Sequence, residues 1–207
     1  MLNYFINASL GTIVNYGVLQ GINQFVKSNE DKVYKTNILL SLVHCSLCSV
    51  VSISHIFFDY DLIDYIANYS LGYLTLDLFL INYYDELSQG RLLFNIHHLI
   101  FIYGWILYDF DKSLTSRVLV SEVSTIFLNL RYLSKYYWQQ HHINLSWATM
   151  GSFFIVRIWN NYHVYFRHKI FIDNNFLVFY PYFGLQIYWF SLMMIKAIKT
   201  LLKKKED

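Results

Sequence analysis

The chain has 207 residues, of which 56% are hydrophobic and only 14% are charged, and it contains one proline. This composition argues against an ordinary soluble domain. The net charge of +2 says little about partners, and the sequence has no basic domain face for a nucleic acid. The bilayer is the expected solvent, since the 19 Tyr and 5 Trp have amphipathic rings that suit the headgroup boundary.

Runs of mainly apolar residues recur along the chain, and a helix needs about 20 such residues to cross a bilayer. The runs lie near 2–24, 36–58, 63–84, 93–109, 116–138, 143–165 and 175–200. The chain is therefore predicted to be an all-α, polytopic membrane helical bundle of about seven transmembrane helices joined by short surface turns. No positive charge precedes the first apolar run, so we expect it to be a retained span and not a signal peptide.

Basic residues collect in alternate connections, which predicts an orientation. Lys27, Lys32 and Lys35 follow the first run, whereas the connection at 58–62 has no basic residue. The first loop is therefore predicted to be cytosolic and, after seven spans, so is the basic tail at 201–207. Four basic residues fall on the opposite side, namely Lys112, Arg117, Arg167 and Lys169.

The second run carries polar residues along one helix face. Starting from the first of them, they are spaced at offsets of 4, 7, 11, 15 and 18 residues: Asn37, Ser41, His44, Cys48, Ser52 and His55. Such a face points into protein or water. Cys45 and Cys48 have no partners at metal or disulfide spacing, so they are interpreted as small core residues.

The third and fourth runs continue this pattern. Ser70, Tyr73 and Asp77 share a face of the third run. In the fourth, His98 lies in a narrow arc with Asn95, Trp105 and Asp109, while His97 lies about 100° away among Gly90, Gly104 and Tyr108. His98 is therefore predicted to face an interior cavity, and His97 to make a close helix contact.

Charged residues inside the spans must be paired, because each one at the bilayer centre costs about 2.5–3.5 kcal/mol on insertion scales. Asp77 and Glu122 provide two negative charges, and Arg131 and Arg157 provide two positive ones. Glu122 and Arg131 lie on opposite faces of one helix, so each needs a partner from another span. An alternative for the polar positions is that they only hold helices together, at about 1 kcal/mol apiece.

Several blocks, taken in order, resemble the TLC-domain family, which includes ceramide synthases and translocation-associated membrane proteins. They are Ser41-Leu-Val-His44, Gly72-Tyr-Leu-Thr-Leu-Asp77, His97-His98, Glu122-Val-Ser-Thr-Ile-Phe-Leu-Asn129-Leu-Arg131, and Arg157. The segment between Asp109 and Val123 lacks the later His of ceramide synthases, so the chain looks closer to the small TLC-domain proteins, although Ile126 replaces a proline often found there.

The resemblance implies a ring of six helices around a cavity, with the first helix as an addition. It divides the chain into an N-terminal helix and cytosolic loop (1–34), a TLC domain (35–200) and a cytosolic basic tail (201–207). It also implies a set of functional positions. His98, His97 and Asp77 are the catalytic candidates, and the substrate-binding candidates are His44, Tyr73, Glu122, Asn129, Arg131 and Arg157.

Two functions suit these residues. The first is acyl transfer to a lipid amine or hydroxyl, with His98 as general base or acyl acceptor, Asp77 holding its tautomer, and acyl-CoA as co-substrate. The second is a non-enzymatic lipid-binding protein that regulates membrane lipid composition. A proton-coupled carrier is a weaker third, since no inverted repeat is evident. The partners are membrane lipids in each case, and no bound cofactor or metal is predicted.

The last four residues, Lys204-Lys-Glu-Asp207, resemble a dilysine retrieval signal. Such a signal acts only on a cytosolic tail, which the predicted orientation supplies. The chain is therefore predicted to reside in the endoplasmic reticulum membrane. The alternative is a merely basic tail that follows the positive-inside rule.

Overall fold

A computed structural model describes residues 2–26, 31–87, 90–107 and 111–203 of the chain, and the segments within these ranges are helical, with no strand among them. The α-helices are α1 (Leu2–Phe25), α2 (Lys32–Phe58), α3 (Ile63–Tyr83), α4 (Arg91–Leu107), α5 (Lys112–Leu119), α6 (Glu122–Tyr137), α7 (His142–Phe153), α8 (Asn160–Arg167), α9 (Lys169–Asn174) and α10 (Phe176–Lys203). A π-helical segment, Phe154–Trp159, joins α7 to α8 without a break. The tail at 204–207 and Asp109 lie outside the described residues.

Six of these helices form a closed ring. Going round it, α2 packs against α3, α3 against α4, α4 against α10, α10 against α7, α7 against α6, and α6 against α2 again. Apolar side chains of α2 and α3, including Leu40, Leu76 and Leu80, form a buried cluster on one side of it. The predicted all-α helical bundle is confirmed.

α1 lies outside the ring and packs on α3 and α2. Its contact with α3 is a backbone crossing between two glycines, because a Cβ added to Gly72 would lie 2.3 Å from the carbonyl carbon of Gly11. Thr12 Oγ1 donates to the Gly72 carbonyl at 3.3 Å, and the fully buried Asn15 donates to the Tyr69 carbonyl at 3.4 Å. Small residues thus allow α1 to lie directly on α3.

We expect Gly72→Ala to weaken the docking of α1 on α3, because the new methyl group meets backbone atoms that cannot rotate away. The expected destabilisation is about 1–3 kcal/mol, which is typical of overpacking. Thermal unfolding in detergent would measure it. Gly17→Ala is the matched control, since a Cβ at Gly17 of α1 meets nothing within 4 Å. Equal melting temperatures for the two variants would contradict this account of the crossing.

The predicted span at 116–138 is interrupted, which the apolar pattern did not indicate. α5 ends at Leu119 and α6 begins at Glu122. The turn between them is closed by hydrogen bonds between residues three apart: Ser121 N–H donates to the Val118 carbonyl at 3.2 Å, and Ser124 N–H donates to the Ser121 carbonyl at 3.2 Å. The break places Glu122 in the first turn of α6, where the helix dipole favours a negative charge.

Polar contacts tie the connections together at each end of the bundle. At one end, the Tyr136 hydroxyl of α6 donates to Asp31, which precedes α2, at 3.1 Å. At the other, Lys112 Nζ donates to Asp61 at 2.6 Å, and this hydrogen bond raises the pKa of the Lys112 amine. Lys112 is one of the four basic residues that fall opposite the predicted cytosolic side, and Asp61 and Asp64 offset its charge.

Two helices in the described part of the chain, Lys32–Phe58 and Phe176–Lys199, are long and apolar enough to cross a membrane by length and composition. Both coincide with predicted spans. The other predicted spans correspond to helices in the same order along the chain, with the fifth divided between α5 and α6.

Candidate functional site

A cavity of about 340 Å³, which we call the central cavity, lies inside the ring and is lined by side chains from all six of its helices. Its apolar lining includes Leu74, Leu128, Phe153 and Leu192. The polar side chains that line it are Ser41, His44, Tyr73, Asp77, His97, His98, Glu122, Ser124, Thr125, Arg131, Thr149 and Arg157. His44, Asp77, His98 and Glu122, which were expected to face one cavity, are all among these residues.

An Asp–His pair occupies the wall formed by α3 and α4. His98 Nε2 lies 3.3 Å from Asp77 Oδ2, an ion-pair distance slightly longer than a typical N–H···O hydrogen bond. Both side chains are buried, and His98 Nδ1 has no hydrogen-bond partner in the structure. An imidazole that donates from Nε2 to a carboxylate keeps its lone pair on Nδ1, so this arrangement leaves an unpaired basic nitrogen, which is itself buried.

His97 lies beside this pair and contacts α10. Its ring packs edge-to-face on Trp189 at 5.2 Å and on Phe101 at 4.9 Å, which agrees with the predicted helix-contact role. His97 also lines the central cavity, together with His98, which was the better candidate for that position from the sequence. Periodicity within α4 alone does not reveal this contact with Trp189 of α10.

His44 and Tyr73 form a stacked pair on the α2–α3 side of the cavity. Their ring centroids are 3.8 Å apart and nearly parallel, at 11°. His44 Nε2 also lies 3.6 Å from Cys48 Sγ and 3.5 Å from Ser70 Oγ. The stacking and these weak polar contacts fix the imidazole in the wall of the cavity, where His44 and Tyr73 can contact an occupant.

Glu122 and Arg157 pair across the cavity wall, as expected of charges that need partners from other spans. Arg157 Nη2 lies 3.5 Å from Glu122 Oε1. The π-helical segment carries Arg157, and its extra residue per turn alters the direction in which side chains leave the helix; such segments are frequent at functional sites. Three further hydrogen bonds hold the guanidinium: to Ser124 at 2.6 Å, Thr125 at 2.7 Å and Gln186 at 3.1 Å.

Arg131 does not pair with Asp77, so mutual pairing of all four charges was wrong in this respect. Arg131 Nε donates to Ser146 Oγ of α7 at 2.9 Å, and its guanidinium lies 5.7 Å from the centre of the Tyr132 ring. Asp77 is paired with His98 instead. The partners of Arg131 are thus a neutral hydroxyl and an aromatic ring, and neither Asp77 nor Glu122 compensates its positive charge.

Asn129, which was predicted to bind substrate, lies between two helices of the ring. Its amide donates to Ser41 Oγ at 2.9 Å and lies 3.8 Å from Cys45 Sγ, so it bridges α6 to α2, and it is not among the residues that line the central cavity. Asn95 likewise bonds to Asn82 of α3 at 3.0 Å. Cys45 and Cys48 are free and buried, as expected of core residues.

A second cavity, which we call the mouth cavity, has a volume of about 380 Å³ and adjoins the central one. Both are lined by Arg131, Thr149, Leu192 and Met193. The basic residues of the mouth cavity are Arg131, Lys135, His142 and Lys196. Only Arg131 was singled out from the sequence, because the others lie near helix ends, where basic residues are common. No set of three or more His, Cys, Asp or Glu in the described ranges is arranged to hold a metal ion.

Comparison with known proteins gave one match. The family model described as the TLC domain matches residues 34–196, which is more than half of the chain. Neither the curated proteins nor the solved structures contain a match. The resemblance recognised in the sequence is therefore confirmed at the level of the family, while closeness to the small TLC-domain proteins stays a prediction.

Proposed function

This chain belongs to the TLC-domain family and is therefore a membrane protein of lipid metabolism or regulation, and from that premise we propose that it transfers an acyl group to a membrane lipid. The observation that carries the proposal is the Asp77–His98 pair, 3.3 Å apart, in the wall of the central cavity. A purely structural pair has no need of a cavity beside it.

His98 is the proposed acyl acceptor. Its Nδ1 would attack the carbonyl carbon of an acyl thioester, the C–S bond would break, and the thiolate would leave with the electron pair. The acyl-imidazole would then be attacked by an amine or hydroxyl of the lipid acceptor, which loses its proton as the C–N bond to the imidazole breaks. His98 acting only as a general base towards the acceptor gives the same net reaction.

The other cavity residues have supporting roles in this proposal. Asp77 would hold the His98 tautomer and stabilise the imidazolium that forms. Arg131 would stabilise the developing oxyanion, since its charge is not neutralised by Asp77 or Glu122. Arg157 is engaged by Glu122, Ser124, Thr125 and Gln186, so it is assigned to the architecture of the wall. The apolar lining suits an acyl chain.

Purified full-length protein in nanodiscs, supplied with long-chain acyl-CoA and a panel of lipid amines and hydroxyls, tests the proposal. We expect transfer to at least one acceptor and, with acyl-CoA alone, an increase in protein mass equal to one acyl group. If no acceptor in the panel is acylated and no acyl-protein forms, the acyltransferase proposal is wrong.

Non-enzymatic lipid binding is the second candidate, and the satisfied Glu122–Arg157 network favours it, because those charges then serve the fold alone. In that case lipid should copurify in the central cavity without turnover. Substituting Leu74 or Leu128 of the lining by Trp should reduce the amount of copurified lipid, whereas the same change at an outward-facing position should not.

We also propose that the protein resides in the endoplasmic reticulum membrane with its tail in the cytosol, on the basis of Lys204 and Lys205. Replacing both lysines with Ser should release an N-terminally tagged protein towards the Golgi, as measured by colocalisation with markers of the two compartments. Replacing Lys199 and Lys203 instead is the control. An unchanged distribution would count against a retrieval signal.

A further inference from the structure

The mouth cavity gathers positive charge at one end of the helical ring. The cations are Arg131 and Lys135 from α6 and Lys196 from the last part of α10, and the imidazole of His142 lines the cavity from the start of α7. None of the described residues that line this cavity is acidic. A cavity with this lining raises the local concentration of anions and favours a ligand with more than one negative charge.

The positive charges of this cavity all act on His142, which supports their convergence. His142 precedes the predicted span at 143–165; burial lowers the pKa of its imidazole, and the positive charges of Arg131, Lys135 and Lys196 lower it further. Two hydrogen bonds hold the geometry: Arg131 Nε to Ser146 Oγ at 2.9 Å, and the 2.9 Å contact of His142 Nδ1 with Ser134 Oγ.

α7 adds to this positive field. The helix begins at His142, and its first-turn residues His142 and Ile143 line the mouth cavity, so the positive end of the helix dipole lies beside the same space. Phosphate groups are favoured at such helix ends when basic side chains are also present.

The mouth cavity is continuous in its lining with the central cavity, and Arg131 belongs to both. At this end of the bundle, the Tyr136 hydroxyl near the end of α6 donates to Asp31, which belongs to the connection between α1 and α2. The predicted orientation puts that connection in the cytosol. A ligand here can therefore hold its charged group at the cytosolic surface and its acyl chain inside the ring.

We infer that the mouth cavity binds the phosphate group of the acyl-bearing ligand, with Arg131, Lys135 and Lys196 as the phosphate-binding cations. The inference deepens the proposed function, since it names the chemistry at the charged end of the substrate. A phosphate of acyl-coenzyme A and the phosphate of a phospholipid have the required chemistry, and each belongs to a molecule that carries an acyl chain.

The test compares Lys135→Gln/Lys196→Gln with Lys32→Gln/Lys199→Gln in purified full-length protein. The control pair removes the same net charge from α2 and α10, from residues that do not line the mouth cavity. One arm measures binding of free coenzyme A in nanodiscs of phosphatidylcholine. The other measures enrichment of phosphatidic acid over phosphatidylcholine among the lipids that copurify with the protein.

We expect the first variant to weaken coenzyme A binding, or the enrichment of phosphatidic acid, by at least about tenfold, because two charge-assisted hydrogen bonds to the phosphate are lost. The control variant should bind as the wild type does. Loss confined to the coenzyme A arm identifies a thioester ligand, and loss confined to the other arm identifies a phospholipid.

The inference is overturned if the two variants behave alike in both arms, or if the wild type binds neither probe. Neither arm requires turnover, so phosphate binding without acyl transfer would refute the proposed function alone. Acyl transfer that is insensitive to Lys135→Gln/Lys196→Gln, with no phosphate binding, would refute only the inference made here.

Discussion

His98→Ala is expected to lower acyl transfer by at least about 100-fold, which is the lower end of what a positioned general base or nucleophile contributes. The reason is geometric. His98 Nδ1 is the nitrogen left without a partner when Nε2 faces Asp77, and both side chains line the central cavity. Transfer from labelled acyl-CoA into extracted lipid, followed over time, measures the effect.

A second substitution separates chemistry from packing. His98→Ala leaves the buried Asp77 without its partner, which can itself destabilise the protein. His98→Gln retains a donor for Asp77 but has no basic nitrogen, so it should fold like the wild type and remain inactive. His163→Ala removes an exposed imidazole from α8 and should leave transfer unchanged. Retained transfer in His98→Gln would show that the imidazole is not the reacting group.

Arg157→Met is expected to lower the free energy of unfolding by about 3–5 kcal/mol, the cost of removing one partner of a buried ion pair. Arg157 is only 6% exposed, and its loss leaves Glu122 without its cation and Ser124, Thr125 and Gln186 without their donor. Unfolding in mixed detergent micelles, monitored by circular dichroism, gives the free energy.

Two comparisons test the origin of this cost. Lys112→Met removes the cation of the exposed pair with Asp61, which water screens, so it should have little effect. Glu122→Gln combined with Arg157→Met should be more stable than Arg157→Met alone, because no unpaired charge then remains. If the double variant is less stable than Arg157→Met alone, the penalty does not come from an uncompensated carboxylate.

The central cavity could be anticipated because helix periodicity is a local property. In α2 and α3, the spacing of Ser41 and His44, and of Tyr73 and Asp77, put each pair on one face, and lipid does not tolerate such faces. The order of these blocks also identified the family. The bonding role of Asn129 was missed, since a polar residue on the correct face can equally well bridge two helices.

By itself, the sequence determined the helical class, the approximate spans and the polar face of each helix, because 3.6 residues per turn fixes angles within one helix. Only the tertiary structure decided which faces meet. The pairing of Glu122 with Arg157 and of Asp77 with His98, and the gathering of Lys135, His142 and Lys196 around one cavity, each join side chains from different helices. Such pairings depend on how each helix is rotated, on the break before α6 and on the π-helical segment at Arg157. Tertiary packing determines these features, and the periodicity of residues within one helix does not encode them.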